Sequence, residues 1–348
     1  EWMLNRNWKT SYWNNVTKNF FTNVQIKWVE SRKKLYILSA VLILAGGASM
    51  LVRGFSAGVD FAGGRTYVVR FDKDVKATEI RLALRQTFGE DMEVKTFGPD
   101  NQVKITTKYM VNDDGPEVDS LIESKLYEGL KPFYTVPMKY EDFVSSTAEN
   151  KEIGKLSSQK VGPTIADDIK IAAIWAVSIA LILIFVYVAI RFKRWQWGLG
   201  ALLALVHDSI IIISLYSLLY GIAPWSMEID QTTIAVLLTI IGFSVNDTVI
   251  IFDRIREFRA LYPKRELNLN INQAINSTLG RTINTSGTVA VALLAMLIFG
   301  GEIIRGMNFA LLVGIIIGTY SSIGIATPIA YDLISVIEKR KLKKLAKK

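Results

Sequence analysis

The chain has 348 residues, half of them hydrophobic, with 41 Lys and Arg against 32 Asp and Glu. This length is sufficient for one membrane bundle and one water-soluble domain. The sequence contains no cysteine, which excludes disulfides, thiolate metal sites and cysteine nucleophiles. The net charge of +9 does not indicate a nucleic-acid partner, because the basic residues are concentrated in particular segments between apolar runs.

Six apolar runs approach the ~20 residues that a transmembrane helix requires. Basic residues crowd the segment before the first run, the connections after the second and fourth runs, and the tail. This alternation is the positive-inside pattern. It predicts six spans with both termini cytoplasmic and with the long segment after the first span external. The predicted spans are roughly Leu35–Val52, Ile171–Ile190, Trp197–Tyr220, Thr232–Phe252, Ile283–Phe299 and Met307–Ile329.

Aromatic and apolar residues recur at near-helical spacing among Asn and Lys before the first span. Helices of this type usually lie in the headgroup interface, so anchoring to membrane lipids is favoured over binding of a partner. The predicted organisation is an interfacial lead-in at 1–34, a first span at 35–52, an external domain with its connector at 53–168, a five-helix bundle at 169–337 and a basic cytoplasmic tail at 338–348.

The external segment alternates strand-like and helix-like patterns in the order β-α-β-β-α-β, which is typical of the ferredoxin-like α+β fold. Asp74 is expected to cap the first helix, and Gly98-Pro99-Asp100 to form a hairpin turn. We interpret this domain as a binding or mechanical module. Its predicted elements are strands Arg65–Phe71, Asp91–Phe97, Asn101–Thr107 and Phe133–Val144, helices Val75–Phe88 and Pro116–Leu130, and a polar connector over Ser145–Val161.

The third span carries the only histidine, His207, next to Asp208. Consecutive residues point to adjacent faces of a helix, so each side chain is expected to need its own partners. A protease triad with Ser209 is excluded for the same reason. Histidine titrates in the physiological range, so both a proton path and a structural role are open for His207. Asp208 is interpreted as functional or interhelical, and no enzyme activity is expected.

The fourth span contains a carboxylate, Asp247, which costs several kcal/mol in a bilayer unless it is paired, protonated or wetted. It lies six residues before Asp253, about 9 Å inside the cytoplasmic end of the span. Thr239, Gly242 and Asn246 make the same flank polar. We therefore expect this flank to face protein or water, not lipid.

The fifth span begins with a basic residue, Arg281, within a polar stripe formed by Ser277, Thr285 and Thr288. The fourth and fifth spans share a cytoplasmic connection, so Arg281 is expected near Asp247. Two interpretations remain open for this pair. One is a proton switch, and the other is a static ion pair that fixes helix packing.

The sixth span is rich in small residues, including Gly314 and Gly318. Small-xxx-small spacing lets helix backbones approach closely. We expect this span to lie inside the bundle, and plain packing is sufficient to explain these glycines.

Together these segments resemble the SecF family of the bacterial Sec machinery, which is part of the resistance-nodulation-division superfamily. The resemblance extends over about three hundred residues from Phe55 onward. Phe243 stands where Tyr is common in that family, and Gly287 where a bulkier residue is frequent. The motifs that carry the resemblance are Gly58-Val-Asp-Phe-Ala-Gly-Gly64, Val161-Gly-Pro163, His207-Asp208, Gly242 to Glu257, Arg281-Thr-Ile-Asn-Thr-Ser286 and Gly314 to Ser322.

The resemblance implies a subunit of the inner membrane that works with SecD and the SecY-E-G channel and uses the proton gradient to assist a translocating preprotein. Asp247 would be the membrane acid of the proton pathway and Arg281 its basic residue. No cofactor is implied, since protons are the coupling ion. The start at Glu1 resembles the second half of a SecD–SecF fusion. Residues implied to couple the external domain to the membrane are Asp60, Phe61, Gly63 and Gly64.

Two other function classes remain open at this stage. One is a structural scaffold of the translocase that moves no protons. The other is a small-molecule exporter of the same superfamily, for which the external domain is small and polar.

Overall fold

The fold was obtained as a computed structural model that describes residues 24–113, 115–145, 152–223 and 225–345. The predicted lead-in therefore lies largely outside the described residues. Six helices are long and apolar enough to cross a membrane, which confirms the predicted number of spans. The first of them, α1 (Trp28–Arg53), leads into a single helical turn, α2 (Val59–Ala62), and then into the domain between the first two spans.

The domain after α2, called the sheet domain below, is a four-stranded antiparallel sheet with the strand order β2-β3-β1-β4. The order along the chain is β-α-β-β-α-β, so the predicted ferredoxin-like fold is confirmed. Helix α4 begins with the proline predicted for its first turn. The elements are β1 (Gly64–Arg70), α3 (Ala77–Phe88), β2 (Glu93–Thr96), β3 (Gln102–Thr107), α4 (Pro116–Leu130), the short helix α5 (Tyr140–Val144) and β4 (Gly154–Val161).

The last strand of the domain is not where the sequence predicted it. Residues 133–144 contain a turn and α5, which directs Phe143 into the core with no exposed surface. Strand β4 instead lies in the segment predicted as a polar connector. It is an edge strand whose central residues are exposed, so it lacks the apolar alternation that identifies most strands. Asp74 does not cap α3 either, because Lys76 occupies the N-cap position.

The core of the domain lies on one face of the sheet, beneath α3 and α4. Ile80 and Leu84 from α3 and Ile122 from α4 are fully buried against Val103 and Ile105 of β3. Complete burial of each such side chain contributes about 1.5–3 kcal/mol. The alternate residues of β2 and β3 point to the other face of the sheet, which turns toward the membrane helices.

The chain re-enters the membrane at Pro163 and forms five further spans. The second span begins eight residues earlier than predicted, because Pro163 starts the helix and apolar packing continues around Ala166. The π-helical turn in the last span is located beside the buried polar residues. The spans are α6 (Pro163–Arg191), α7 (Trp195–Leu219), α8 (Gln231–Leu261), α9 (Leu267–Phe299) and a continuous helix made of α10 (Glu302–Ser321), the π turn (Ser322–Ala326) and α11 (Thr327–Leu345).

Helix α10 packs closely against α8 through two glycines. A side chain at Gly314 would overlap Ile240, and a Cβ at Gly318 would lie 3.0 Å from the Cβ of Ser244. Both glycines are buried. The close approach brings the polar side chains of the following turn of α10 within hydrogen-bonding distance of α7 and α8.

Gly64→Ala is expected to lower the stability of the chain by about 1–3 kcal/mol. Gly64 has a φ of 135°, and a Cβ there would lie 2.6 Å from the carbonyl oxygen of Thr107. Thermal unfolding in detergent measures the effect. Gly162→Ala is the matched control, since that glycine has an ordinary φ of −68° and open space around it. Equal unfolding temperatures for the two variants would contradict the prediction.

Candidate functional site

Asp247 is fully buried in the middle of the bundle. Its Oδ2 atom accepts hydrogen bonds from Ser286 of α9 at 3.3 Å and from Thr319 of α10 at 3.4 Å. The two hydroxyl oxygens are also 2.6 Å apart. Each hydroxyl has a single hydrogen, so the one that donates to the other cannot donate to the carboxylate at the same time. Its Oδ1 atom is buried without a hydrogen-bond partner among the described residues. The carboxyl group is therefore held only by long contacts between its Oδ2 atom and two hydroxyls, and its Oδ1 atom has no such contact among the described residues.

Arg281 forms no ion pair with Asp247 but lies within electrostatic range of its carboxyl group. No ion pair within 4.0 Å joins them in the described part of the chain, although Arg281 was the predicted partner. The side chain of Arg281 is exposed and lines a cavity of about 850 Å³ with Asp253, Glu257 and Ser277, at the membrane face opposite the sheet domain. At 1.5 Å per residue, it lies about 7.5 Å along α9 from Ser286, the residue that does contact the acid.

The polar stripe predicted on α9 faces outward from the chain. Thr285 and Thr288 are exposed, and each donates its hydroxyl hydrogen to a carbonyl of its own helix. Thr239 and Asn246 on the neighbouring α8 are exposed as well. Polar side chains at membrane depth usually face protein or water. This surface of α8 and α9, including Arg281, is therefore unsuited to direct contact with lipid.

Asp208 is also fully buried, but both of its carboxyl oxygens are satisfied. Ser244 of α8 and Ser321 of α10 donate to Oδ2 at 2.8 and 2.7 Å. The Oδ1 atom lies 2.9 Å from Nδ1 of His207. The prediction that both neighbours need partners is confirmed, since His207 contacts Ser39 and Asp208 accepts from Ser244 and Ser321. The imidazole also folds back onto the adjacent carboxyl group, which the sequence did not predict.

His207 begins a hydrogen-bonded chain that crosses to α1. Its Nε2 is 2.9 Å from Ser39 Oγ, which is 2.9 Å from Tyr320 Oη. The Tyr320 hydroxyl donates to the carbonyl oxygen of Leu35 at 2.8 Å. A carbonyl only accepts, so Tyr320 must accept from Ser39, and Ser39 from His207. All bonds are satisfied only when Nε2 carries a proton.

The direction of these bonds restricts the charge of the His207–Asp208 pair. With Nε2 protonated, one further proton must lie between Nδ1 and Oδ1 to complete their hydrogen bond. The pair is then either imidazolium with carboxylate or neutral imidazole with carboxylic acid. Both states have zero net charge, which suits a fully buried position. The arrangement can pass a proton between its two members without changing the charge of the bundle.

The connection between α1 and the sheet domain is tied to the start of α8. Asp60 accepts hydrogen bonds from the Gln159 side chain of β4 at 2.9 Å and from the backbone N–H of Gln231 at 3.1 Å. Ala57 forms a parallel β-bridge with Ile229. Gly63 and Gly64 both have positive φ values, which glycine adopts at little cost. Phe61 lines an apolar cavity of about 620 Å³ with residues of α6, α7 and α8.

A buried ion cluster joins the membrane-facing side of the sheet to the connection between α7 and α8. Glu228 is 5% exposed and forms ion pairs with Lys95 at 2.9 Å and Lys104 at 2.8 Å. Lys95 also contacts Glu93, to which the hydroxyl of Tyr220 donates a hydrogen bond. The domain is thus held on the bundle by two independent sets of polar contacts.

Comparison with known proteins identifies the family. A family model described as "Protein export membrane protein SecD/SecF, C-terminal" matches residues 139–336, and one described as "SecD/SecF GG Motif" matches residues 48–75. The protein translocase subunit SecF of Rhodothermus marinus is 40% identical over 314 residues, which are 90% of this chain and 94% of that protein. The chain belongs to the SecF family.

Other relatives and solved structures agree with this SecF assignment. SecF of Calditerrivibrio nitroreducens is 35% identical over 90% of this chain and 96% of its own length. The crystal structure of SecDF from Thermus thermophilus superposes with a TM-score of 0.73 at 28% identity, and it covers 91% of this chain. This chain spans 40% of the length of that SecDF chain.

Several residues of this SecF-family site could not be assigned from the sequence. Ser244, Ser286, Thr319 and Ser321 supply the hydroxyl donors to the two buried acids, yet single Ser and Thr residues are common in membrane helices. Glu228 lies in a short connection and has no motif. For Thr319 and Ser321, the signal that could have found them is their position one and three residues after the close-packing Gly318.

The ion cluster around Glu228 makes the docking of the sheet domain on the membrane bundle dependent on pH. Burial opposes the charge of Glu228, but Lys104 and Lys95 outweigh it and hold its pKa below the ordinary value of 4.5. Burial likewise opposes the charge of Lys95, whose pKa is nevertheless raised by Glu228 and Glu93. The stabilisation from Glu228 is therefore complete above pH 4.5 and is lost as the pH falls through the lowered pKa.

Glu228→Gln is expected to weaken the docking of the domain by about 1–3 kcal/mol, because it leaves the two lysines without their buried counter-charge. Hydrogen exchange of β2 and β3 at neutral pH measures the effect. Acidification through the lowered pKa of Glu228 should reduce the protection factors of β2 and β3, taken against the intrinsic exchange rate at each pH, in the parent chain and have less effect in the variant. Glu90→Gln changes an exposed carboxyl group of the same domain and serves as the control. Unchanged protection of β2 and β3 in Glu228→Gln would contradict the prediction.

Proposed function

We propose that this SecF-family chain is the proton-driven accessory subunit of the Sec translocase. It assists the export of unfolded preproteins across the bacterial inner membrane together with SecD and the SecY-E-G channel, with both termini in the cytoplasm and the sheet domain outside. Protons are its coupling ion. The observation that carries the proposal is the carboxyl group of Asp247, which is buried at mid-span with one oxygen unpaired among the described residues.

The surroundings of Asp247 suit both of its protonation states. A carboxylate can accept from the hydroxyls of Ser286 and Thr319, and a carboxylic acid can donate to either hydroxyl, since Ser and Thr both donate and accept. Arg281 forms no ion pair with the acid but lies within electrostatic range of it. A movement of α9 that brings the guanidinium closer to the carboxyl group would favour release of the proton.

The available energy is adequate for such a switch. Each proton that moves down a potential of ~100 mV supplies ~2.3 kcal/mol. A difference of that size changes the ratio of two conformations by more than tenfold. The first residue of α8 is held by Asp60, so a movement of α8 around Asp247 reaches the external domain through a single helix.

The polar outer face of α8 and α9 supports a second membrane bundle as the partner. Asn246, Arg281 and Thr285 are exposed at membrane depth, where contact with lipid is costly. We propose that the membrane helices of SecD cover this face. Water or polar groups of SecD at that interface would complete the proton route to Asp247.

Asp247→Asn is expected to abolish the gradient-dependent part of preprotein export while the chain still accumulates in the membrane. Asparagine has nearly the same shape and can accept from both hydroxyls, but it cannot ionise. Translocation into inverted vesicles with and without an uncoupler measures the effect. Asp253→Asn is the control. It changes an acid of the same helix that forms ion pairs with Arg191 and Arg256, and it should keep most of the activity.

Proton flux through the reconstituted SecD–SecF complex separates a motor from a scaffold. A scaffold would show the same export and the same flux with Asp247 or with asparagine at that position. Unchanged export or unchanged proton flux in the Asp247→Asn variant would refute the proton-driven mechanism and leave only the structural role.

A photo-reactive phenylalanine analogue at position 246 is expected to cross-link to co-expressed SecD, because Asn246 lies on the polar face of α8. The same analogue at Ile174, which is 67% exposed on the apolar α6, should give little or no SecD product. The products are separated by mass and identified with antibody to SecD. Equal yields at the two positions would contradict the proposed interface.

A further inference from the structure

We propose that a groove on the membrane face opposite the sheet domain binds one anionic phospholipid, with the lipid phosphate at the N-terminus of α7. The groove has a volume of about 550 Å³ and lies between the end of α6, the start of α7 and the middle of α11. It is remote from Asp247 and from the domain junction. The inference does not depend on proton coupling.

The N-terminus of α7 provides the first element of an anion site. This helix has 25 residues and begins at Trp195, no side chain caps it, and no acidic residue occupies its first turn. The backbone N–H groups at the start of a helix have no partner within the helix, and the helix dipole adds positive potential there. Phosphate groups bind at such ends in many folds.

A buried glutamine provides independent support for a ligand. Gln196 is 8% exposed and lines the groove, and its Oε1 atom has no hydrogen-bond partner among the described residues. A buried amide oxygen without a partner costs about 1–3 kcal/mol. In either orientation of the amide, a phospholipid headgroup satisfies it, because a phosphate oxygen accepts from its NH2 group and a headgroup hydroxyl donates to its oxygen.

The charges around the groove favour an anion. Lys193 and Arg194 line it, and the one acid that does so, Glu338, lies 4.0 Å from Arg194, at the limit of an ion pair. A smaller cleft of about 160 Å³ adjoins the groove at Arg194 and adds Arg256 and Arg259. Arginine binds phosphate through two parallel hydrogen bonds. The groove therefore offers more positive charge than its own acid neutralises.

The remaining wall identifies the source of the phosphate as a membrane lipid. Ala189, Ile190 and Ile334 line the groove beside the charged residues, and Ile190 is 72% exposed. Trp195 is half exposed at the same level, as is typical of tryptophan at a membrane–water boundary. An apolar wall continuous with a phosphate site suits an acyl chain, whereas a soluble phosphate would not use it.

Native mass spectrometry of the delipidated full chain tests the proposal. Phosphatidylglycerol is expected to bind at one site at least tenfold more tightly than zwitterionic phosphatidylcholine, a difference of about 1.4 kcal/mol. The double variant Lys193→Gln, Arg194→Gln should lose this preference. Equal affinity for the two lipids in the parent chain would overturn the proposal.

Two further variants separate a built site from general attraction. Lys339→Gln, Arg340→Gln removes the same charge from exposed residues of α11 that do not line the groove, and it should keep the preference. Gln196→Leu should weaken phosphatidylglycerol binding by about tenfold without lowering the unfolding temperature of the lipid-free chain. Loss of the preference in the α11 variant, or unchanged binding in Gln196→Leu, would refute the site.

A competition experiment distinguishes the lipid from a soluble phosphate. Glycerol 3-phosphate carries the same charged group without acyl chains, and it should not displace phosphatidylglycerol at equal concentration. Displacement at that concentration would show that the groove takes a soluble organic phosphate, which would overturn the lipid assignment.

Discussion

The membrane bundle is organised around the cost of placing two carboxyl groups in a dry interior. A buried charge without donors would cost far more than the net stability of a domain can supply. Asp208 and Asp247 avoid that cost because Ser321 and Thr319 of α10 reach them. The two hydroxyls are within reach because α10 packs closely against α8, and this packing requires a residue without a side chain at Gly318. The hydrogen bonds to the two acids therefore depend on the close packing that the glycines allow.

The two acids differ in how completely they are satisfied, and this difference favours different roles. Asp208 has donors for both oxygens and shares a proton with His207 inside a continuous hydrogen-bonded chain. All of its hydrogen bonds are formed, so a gain or loss of a proton by the pair would break at least one of them. Asp247 has only long contacts to two hydroxyls, and its Oδ1 atom has no hydrogen-bond partner among the described residues. A group that is only partly satisfied is the one whose protonation a small helix movement can alter.

Helix α8 connects this site to the external domain. Asp60 and the capping box of Asp230 with Thr233 hold its first turn, while Asp247 lies 16 residues further along, or about 24 Å at 1.5 Å per residue. The domain is also anchored through Glu228, just before the helix. One continuous helix therefore runs from the acid to the contacts that hold the domain.

The sequence by itself determined the six spans, the ferredoxin-like order and the unusual acid in the fourth span, because length, apolar content and periodicity are local properties of the chain. It did not locate β4, whose exposed edge position removes the apolar alternation. It predicted that Arg281 lies near Asp247 but not that the two form no ion pair, since spacing along two helices indicates depth but not rotation. Only the tertiary structure decided that Arg281 faces outward and that hydroxyls from α9 and α10 hold the acid, because the relative rotation of packed helices depends on how their surfaces interlock.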